Sequence, residues 1–213
     1  MSTAVYFDLD GTLLAWSRSF ADLFVDVFPG DATDEALDVF GRRLRAELDA
    51  ANDDPLVTAF AAVSEEFAAA ADPEALAASF AGAEVEATRL RPSARRLLRT
   101  VGERHRVGVL TNGAASVQRR KIAHHDLTDL LDAVVVSGAV GVAKPDDEIF
   151  EVATDRLPAD AHVYVGDSYE EDVVPAAENG FETVYVGEQS PTAAPVAARD
   201  LDDLASLLAA LVG

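Results

Sequence analysis

Ala4 to Thr12 reads Ala-Val-Tyr-Phe-Asp-Leu-Asp-Gly-Thr, an apolar run that ends in two carboxylates one residue apart, Asp8 and Asp10, then a glycine and a hydroxyl. Carboxyl groups held this close repel each other and raise at least one pKa unless a cation lies between them. The pair therefore calls for a metal, a shared proton, or both. Val5, Tyr6 and Phe7 suit a strand buried on both faces, and Gly11 lets the chain turn just past the second acid. Both acids are expected at the carboxyl end of that strand, the edge where open α/β sheets bind ligands.

Four further segments carry a buried-strand pattern. Arg106 to Leu110 ends in Thr111, Asn112 and Gly113, a hydroxyl, an amide and a glycine that lead into a helix and can hold an anion. Ala133 to Val136 is followed, after a glycine-rich connection, by Lys144 and Pro145, where the proline restricts the chain and helps fix the lysine's approach. Ala161 to Val165 ends in Gly166, Asp167 and Ser168 with another acid at Asp172, while Glu182 to Val186 ends in Gly187 with no evident chemistry. Helical stretches separate the strands, so a parallel sheet would bring the acid pair, the hydroxyl, the lysine and the third acid to one edge. Between Thr12 and Arg106 the pattern turns helical over 17–27, 33–51, 55–70 and 73–88, with Asp54-Pro55 and Asp72-Pro73 as N-cap and first-turn proline pairs. The expected fold is α/β, a Rossmann-like parallel-sheet core over 1–14 and 89–213 with an inserted all-α cap over 15–88. A Pro/Ala-rich connection over 189–198 leads to a final helix near 201–211.

The ordered set Asp8-Leu9-Asp10-Gly11-Thr12, Thr111-Asn112-Gly113, Lys144-Pro145 and Gly166-Asp167-Ser168 with Asp172 resembles the four signature motifs of the haloacid dehalogenase-like hydrolase superfamily, over nearly all of the core from Ala4 to about Val186. The resemblance implies that Asp8 is a nucleophile forming an aspartyl phosphate. It also implies a magnesium ion held by the Asp8 carboxylate, by Asp167 and by the backbone carbonyl of Asp10, an all-oxygen set suited to that ion. Lys144 would place a point charge between nucleophile and phosphate, and the Thr111 hydroxyl with the amides near Asn112 and Gly113 would hold the remaining oxygens. Asp172 would orient Lys144 or a metal-bound water.

Asp10 distinguishes the branches of that superfamily. Expelling an alkoxide needs an acid and then a base, and one carboxyl can serve as both. Dehalogenases expel halide and lack an acid at the position matching Asp10, and phosphonate hydrolases use a cap lysine, of which 15–88 has none. The expected activity is phosphatase action on a small phosphorylated metabolite. A phosphomutase shares the Asp8 and Asp10 roles and differs in excluding water; a 2-haloacid dehalogenase fits less well. From another class, a phosphorylated signalling module of the receiver type also groups acids, a hydroxyl and a lysine at strand ends, but it puts its acid pair and phosphoacceptor on different strands and has no cap.

Outside the motifs, Trp16 and Arg18 sit where core passes into cap and are expected to line the substrate pocket. Lys121 and Lys144 are the two lysines among 17 basic residues. Lys121 reads as a solvated charge on an exposed turn, within reach of substrate. Arg42, Arg43 and Arg45 read as a solvated helix face, and the four histidines as structural or exposed.

With 213 residues, 49% of them apolar, the chain can bury a sizeable core. It has no cysteine, which excludes a disulfide framework, a thiolate nucleophile and a cysteine-ligated zinc. No apolar run reaches the length of a membrane span, and the acidic, motif-bearing start does not read as a signal peptide, so a cytoplasmic protein is expected. A formal charge of −21, with acids spread along the chain, disfavours nucleic acid and anionic membranes as partners. Many carboxylates with few lysines resemble proteins of salt-accumulating organisms, where screening makes self-repulsion tolerable; the alternative is an ordinary acidic soluble protein. Salt separates the two. Melting temperature is expected to rise from low to molar potassium chloride, and a flat or falling curve would remove the halophilic reading.

Overall fold

Every residue of β1 (Thr3–Phe7) is buried, which is what a strand of Thr-Ala-Val-Tyr-Phe gains by lying between two others. In the computed structural model, which describes residues 2–29, 32–69, 71–187 and 196–204, it is central in a six-stranded sheet. After β1 and a short β2 (Leu14–Trp16) come four helices, α1 (Phe20–Val27), α2 (Asp34–Asp49), α3 (Pro55–Glu66) and α4 (Pro73–Glu86). The chain continues through β3 (Thr88–Leu90), α5 (Ala94–Gly102), β4 (Arg106–Thr111), α6 (Ala115–His124), β5 (Ala133–Val136) and α7 (Ser137–Val140). It then forms α8 (Asp147–Arg156), β6 (Ala161–Gly166), a π-helical turn over Tyr169–Val173, α9 (Val174–Glu178), β7 (Glu182–Val186) and β8 (Ala197–Ala198).

The sheet order is β5-β4-β1-β6-β7-β8 and every pairing in it is parallel. Alternation along β1 divides the core. Val5 and Phe7 face a cluster with Leu97, Leu98 and Val101 of α5, whereas Ala4 and Tyr6 face one with Ile149, Phe150 and Ala153 of α8. Gly108 of β4 makes room for the Tyr6 ring, since a Cβ there would lie 2.3 Å from it, and the Tyr6 hydroxyl donates to the Ala153 carbonyl at 2.7 Å. The carboxyl ends of β1, β4 and β6 are thereby adjacent, and the expected strands of the core are all present.

The helical segment has its own core. Phe24, Phe40, Phe60 and Phe80, one from each helix, pack ring against ring, with Phe40 and Phe60 centroids 4.4 Å apart. The helices start on local signals: Ser19 and Asp22 form a reciprocal capping box on α1, Thr33 caps α2 and Asp72 caps α4. Asp54 occupies the N-cap position before Pro55 but makes no side-chain cap bond, unlike the expectation. Several boundaries also differ, among them the end of the third helix at Glu66, short of the expected 70. The first helix begins at Phe20, and the last ends at Glu86 because Thr88 to Leu90 pair antiparallel with Leu14 to Trp16. Three-residue strands have too little length to carry a periodicity, so this pair, joining the two passages between sheet and helices, leaves no mark in the sequence. Residues 201–204 are helical; the rest of the expected last helix, and 189–195 of the connection before it, lie outside the described residues. Among the described residues no helix is long and apolar enough to cross a membrane.

Phe60 is fully buried and touches Phe24, Phe40 and Phe80, so Phe60→Ala is expected to cost about 3–5 kcal/mol. Chemical denaturation measures this; a loss below about 1 kcal/mol would show that the aromatic cluster does not hold the helical segment together.

Candidate active site

The end of β1 delivers Asp8 into a buried charge cluster. Its backbone N–H still donates to the Val165 carbonyl at 2.9 Å, so the carboxylate is held in register with β6. Lys144 Nζ lies 2.8 Å from Asp8 Oδ1 and 2.5 Å from Asp172 Oδ1, and it donates to the Tyr164 hydroxyl at 2.9 Å, which in turn donates to the Leu110 carbonyl at 2.8 Å. Asp172 Oδ2 accepts from the Ser168 N–H at 3.0 Å. Burial pushes the Asp8 carboxyl up to about 8; Lys144 opposes this, and Asp172 and Asp167 add to it. Burial would lower Lys144, but Asp172 and then Asp8 outweigh it and hold the ammonium well above the usual lysine range. Burial also raises Asp167, against the hydrogen bond from the Thr12 hydroxyl at 2.9 Å.

Carboxylate oxygens of Asp8, Asp167 and Asp172 all lie within 4.8 Å of one another. Glycines allow this crowding: a Cβ on Gly11, whose φ is +92°, would meet the Asp167 carboxylate at 2.2 Å, and one on Gly166 would meet Asp172 at 2.3 Å. An all-oxygen set of this kind suits a hard divalent cation. Within it the Asp172 oxygens are taken up by Lys144 and Ser168, which leaves Asp8 and Asp167 as the carboxylates with oxygens to offer.

Asp10 turns away from this cluster. Its Oδ2 accepts from Lys121 Nζ and from Gln118 Nε2, each at 2.8 Å, while Oδ1 is buried without a hydrogen-bond partner. The reading of Lys121 as a solvated charge is therefore corrected: it is 1% exposed, also paired with Glu84 Oε1 at 2.8 Å, and lies 4.6 Å from the centre of the Trp16 ring. Thr111 is buried and its hydroxyl accepts from Gln118 at 2.9 Å. Asn112 is committed to the backbone of Lys144, donating to its carbonyl and accepting from its N–H, both at 2.9 Å. The Gly113 N–H donates to Ser137 Oγ at 3.0 Å.

A cavity of about 220 Å³ beside these groups is lined by Asp10, Trp16, Phe20, Glu84, Asn112 and Gln118, among others. Phe20, Leu44, Leu48 and Asn112 continue into a larger cavity of about 720 Å³ that Arg42 and Arg45 of α2 also line. Trp16 lines the smaller cavity, whereas Arg18 pairs with Asp26 at 2.7 Å and lines neither. Arg43 pairs with Glu47 within its own helix. His125 bonds Thr88 and His162 bonds the Leu157 carbonyl, both away from the site. Gln118, Tyr164 and Glu84 were missed. A tyrosine in a buried strand does need a partner for its hydroxyl, a signal that could have drawn attention to Tyr164; Glu84 has no local signal.

The haloacid dehalogenase-like hydrolase profile matches residues 3–180, and the chain belongs to that family of hydrolases. It is 31% identical over 118 residues to the pyrimidine 5'-nucleotidase YjjG of Escherichia coli, over 54% of this chain and 52% of that protein. The chain spans about half or less of the length of the curated relatives it matches. Among solved structures, the magnesium-bound HAD-hydrolase YfnB of Bacillus subtilis superposes with a TM-score of 0.77 at 22% identity, over 98% of this chain and 99% of that one. The L-2-haloacid dehalogenase of Xanthobacter autotrophicus superposes with 0.74 at 21%, over 98% and 99%. At these identities the likeness speaks to fold alone.

Gly11→Ala is expected to force Asp167 out of place and to add strain of about 1–3 kcal/mol from the positive φ. Calorimetric titration with magnesium should show affinity at least tenfold weaker than in the parent protein; unchanged affinity would mean that Asp167 is not a ligand.

Proposed function

We propose that the chain is a magnesium-dependent phosphatase that hydrolyses a small phosphomonoester through an aspartyl phosphate on Asp8. The observation that carries this reading is the second acid. Asp10 lies two residues past Asp8, lines the smaller cavity, and keeps one buried oxygen without a partner. A departing alkoxide needs a proton and a departing halide does not, so a second carboxyl two residues past the nucleophile suits a phosphate ester and is superfluous for dehalogenation. The nucleotidase name of YjjG supports the same direction.

In this mechanism an Asp8 oxygen attacks phosphorus in line as the bond to the leaving oxygen breaks. Asp10 gives that oxygen its proton, then takes one from the water that attacks the phosphorus of the acyl phosphate, returning Asp8 and releasing phosphate. Lys144, held by Asp172 and Tyr164, keeps a fixed positive charge against the phosphoryl oxygens. The Thr111 hydroxyl accepts from Gln118 and donates to the Asn112 carbonyl at 3.3 Å, a long bond that it would exchange for one to a phosphoryl oxygen. A magnesium ion held by Asp8, Asp167 and the backbone carbonyl of Asp10 would supply Lewis-acid neutralisation of the same charge. The helices of residues 15–88 act as a cap, with the leaving group in the cavity that Trp16 and Phe20 line. The substrate is a small phosphorylated metabolite, and the carboxylate-rich, lysine-poor composition favours a salty cytoplasm as the setting.

An aryl phosphate should be hydrolysed with magnesium and not after exhaustive chelation. Asp8→Asn should form neither phosphoenzyme nor product. Asp10→Asn should lose about 10²–10⁴-fold in steady-state turnover and, with an activated ester, accumulate a phosphoryl adduct visible by rapid quench and intact mass. Native-rate hydrolysis by Asp10→Asn would remove the reading's main support.

A further inference from the structure

Lys121 is the other buried lysine, and the mechanism above leaves it idle. Its ammonium has three N–H groups: one reaches Asp10 Oδ2, one reaches Glu84 Oε1, and the remaining approach is covered by the Trp16 ring. Burying an ammonium costs several kcal/mol before pairing repays it. An apolar residue would serve packing better at this point of α6, between Val117 and Ile122 of the two neighbouring cores. Gln118, one turn earlier on α6, adds a second donor to the same oxygen of Asp10. The two oxygens of Asp10 are consequently unequal. Oδ2 receives two donors that have nothing to accept with, and Oδ1 receives none.

We propose that Lys121 is a positioning residue for Asp10: together with Gln118 it grips Oδ2 and so fixes the rotation of the carboxyl that serves as acid and base, and Glu84 of the helical segment holds Lys121 in that pose. The inference rests on the reading of Asp10 as the acid and base. Without the grip, the carboxylate is free to rotate about its terminal torsion, and the fraction of time in which an oxygen meets the substrate falls. Glu84 lies on α4 and Lys121 on α6, so the arrangement forms only when the helical segment is packed against the sheet domain's helix.

The test compares a monoester with a poor, alkyl leaving group, glycerol phosphate, with an activated aryl phosphate. For Lys121→Met, kcat/KM on glycerol phosphate should fall at least tenfold, because the phosphorylation step there needs Asp10. On the aryl ester kcat and KM should fall together by at least fivefold, leaving kcat/KM within threefold, because only the later hydrolysis of the phosphoenzyme needs Asp10. The chain has no cysteine, so Lys121→Cys can be unfolded, aminoethylated at that one thiol and refolded, which restores an ammonium and should restore both values to within threefold of the parent. The double variant Glu84→Gln/Lys121→Met removes the buried charges together and should give the same split if Lys121→Met alone does not fold. Equal losses on both esters, or a loss of the same size when Lys121→Met is made in Asp10→Asn, would overturn the positioning role. If Asp10→Asn itself hydrolyses glycerol phosphate at the native rate, the acid–base reading has failed instead, and the two failures are distinct.

Discussion

One ammonium group makes the centre of this molecule possible. At an effective dielectric of about 20, two carboxylate charges 4.8 Å apart repel by roughly 3.5 kcal/mol, and Asp8, Asp167 and Asp172 crowd within that distance. Lys144 Nζ, at 2.8 Å from Asp8 and 2.5 Å from Asp172, contributes roughly 6 kcal/mol of attraction to each on the same scale. The three carboxylate pairs together repel by roughly 10 kcal/mol against roughly 12 kcal/mol of attraction, so Lys144 little more than balances the cluster, and burial still raises the Asp8 carboxyl to about 8. What remains stable is a fixed arrangement in which the charges cannot move apart to be solvated. That rigidity is the property Asp8 needs in its proposed role as nucleophile.

The rest of the site follows from keeping Lys144 in place. Asn112 at the end of β4 clamps the backbone of Lys144 from both sides, so a residue that reads as an anion contact serves first as a brace between two strand ends. Tyr164 spans from the Leu110 carbonyl to the ammonium and ties β6 to β4 across the intervening β1. Gly11 and Gly166 supply the missing side chains without which Asp167 and Asp172 could not approach.

A second buried lysine repeats the logic at the border between sheet and helical segment. Lys121 sits between one carboxylate from each side, Asp10 and Glu84, while the helices keep a separate aromatic core. Val117 of α6 joins the helical cluster beside this charge pairing. In a chain of formal charge −21 with two lysines, both lysines are buried against carboxylates.

The sheet and its chemistry were legible because their signals are local. β1 announces itself by five consecutive buried-type residues, and Asp8, Thr111, Lys144 and Asp167 each stand just past a strand or its connection, so parallel order alone brings them to one edge. The helices of 20–86 were legible from their caps and prolines. What the sequence could not specify were the partners of groups far apart along it: Glu84 with Lys121, Asn112 with Lys144, Arg18 with Asp26 in place of the cavity, and the β2–β3 pair. A charged side chain on a helix is solvated or buried according to what the rest of the chain places over it, and helical periodicity says nothing of that. Sequence by itself determined which acids, hydroxyl and lysine meet at the sheet edge; tertiary packing alone decided that Lys121 is buried and which oxygen of Asp10 stays free, because burial and hydrogen-bond geometry are properties of the assembled surfaces.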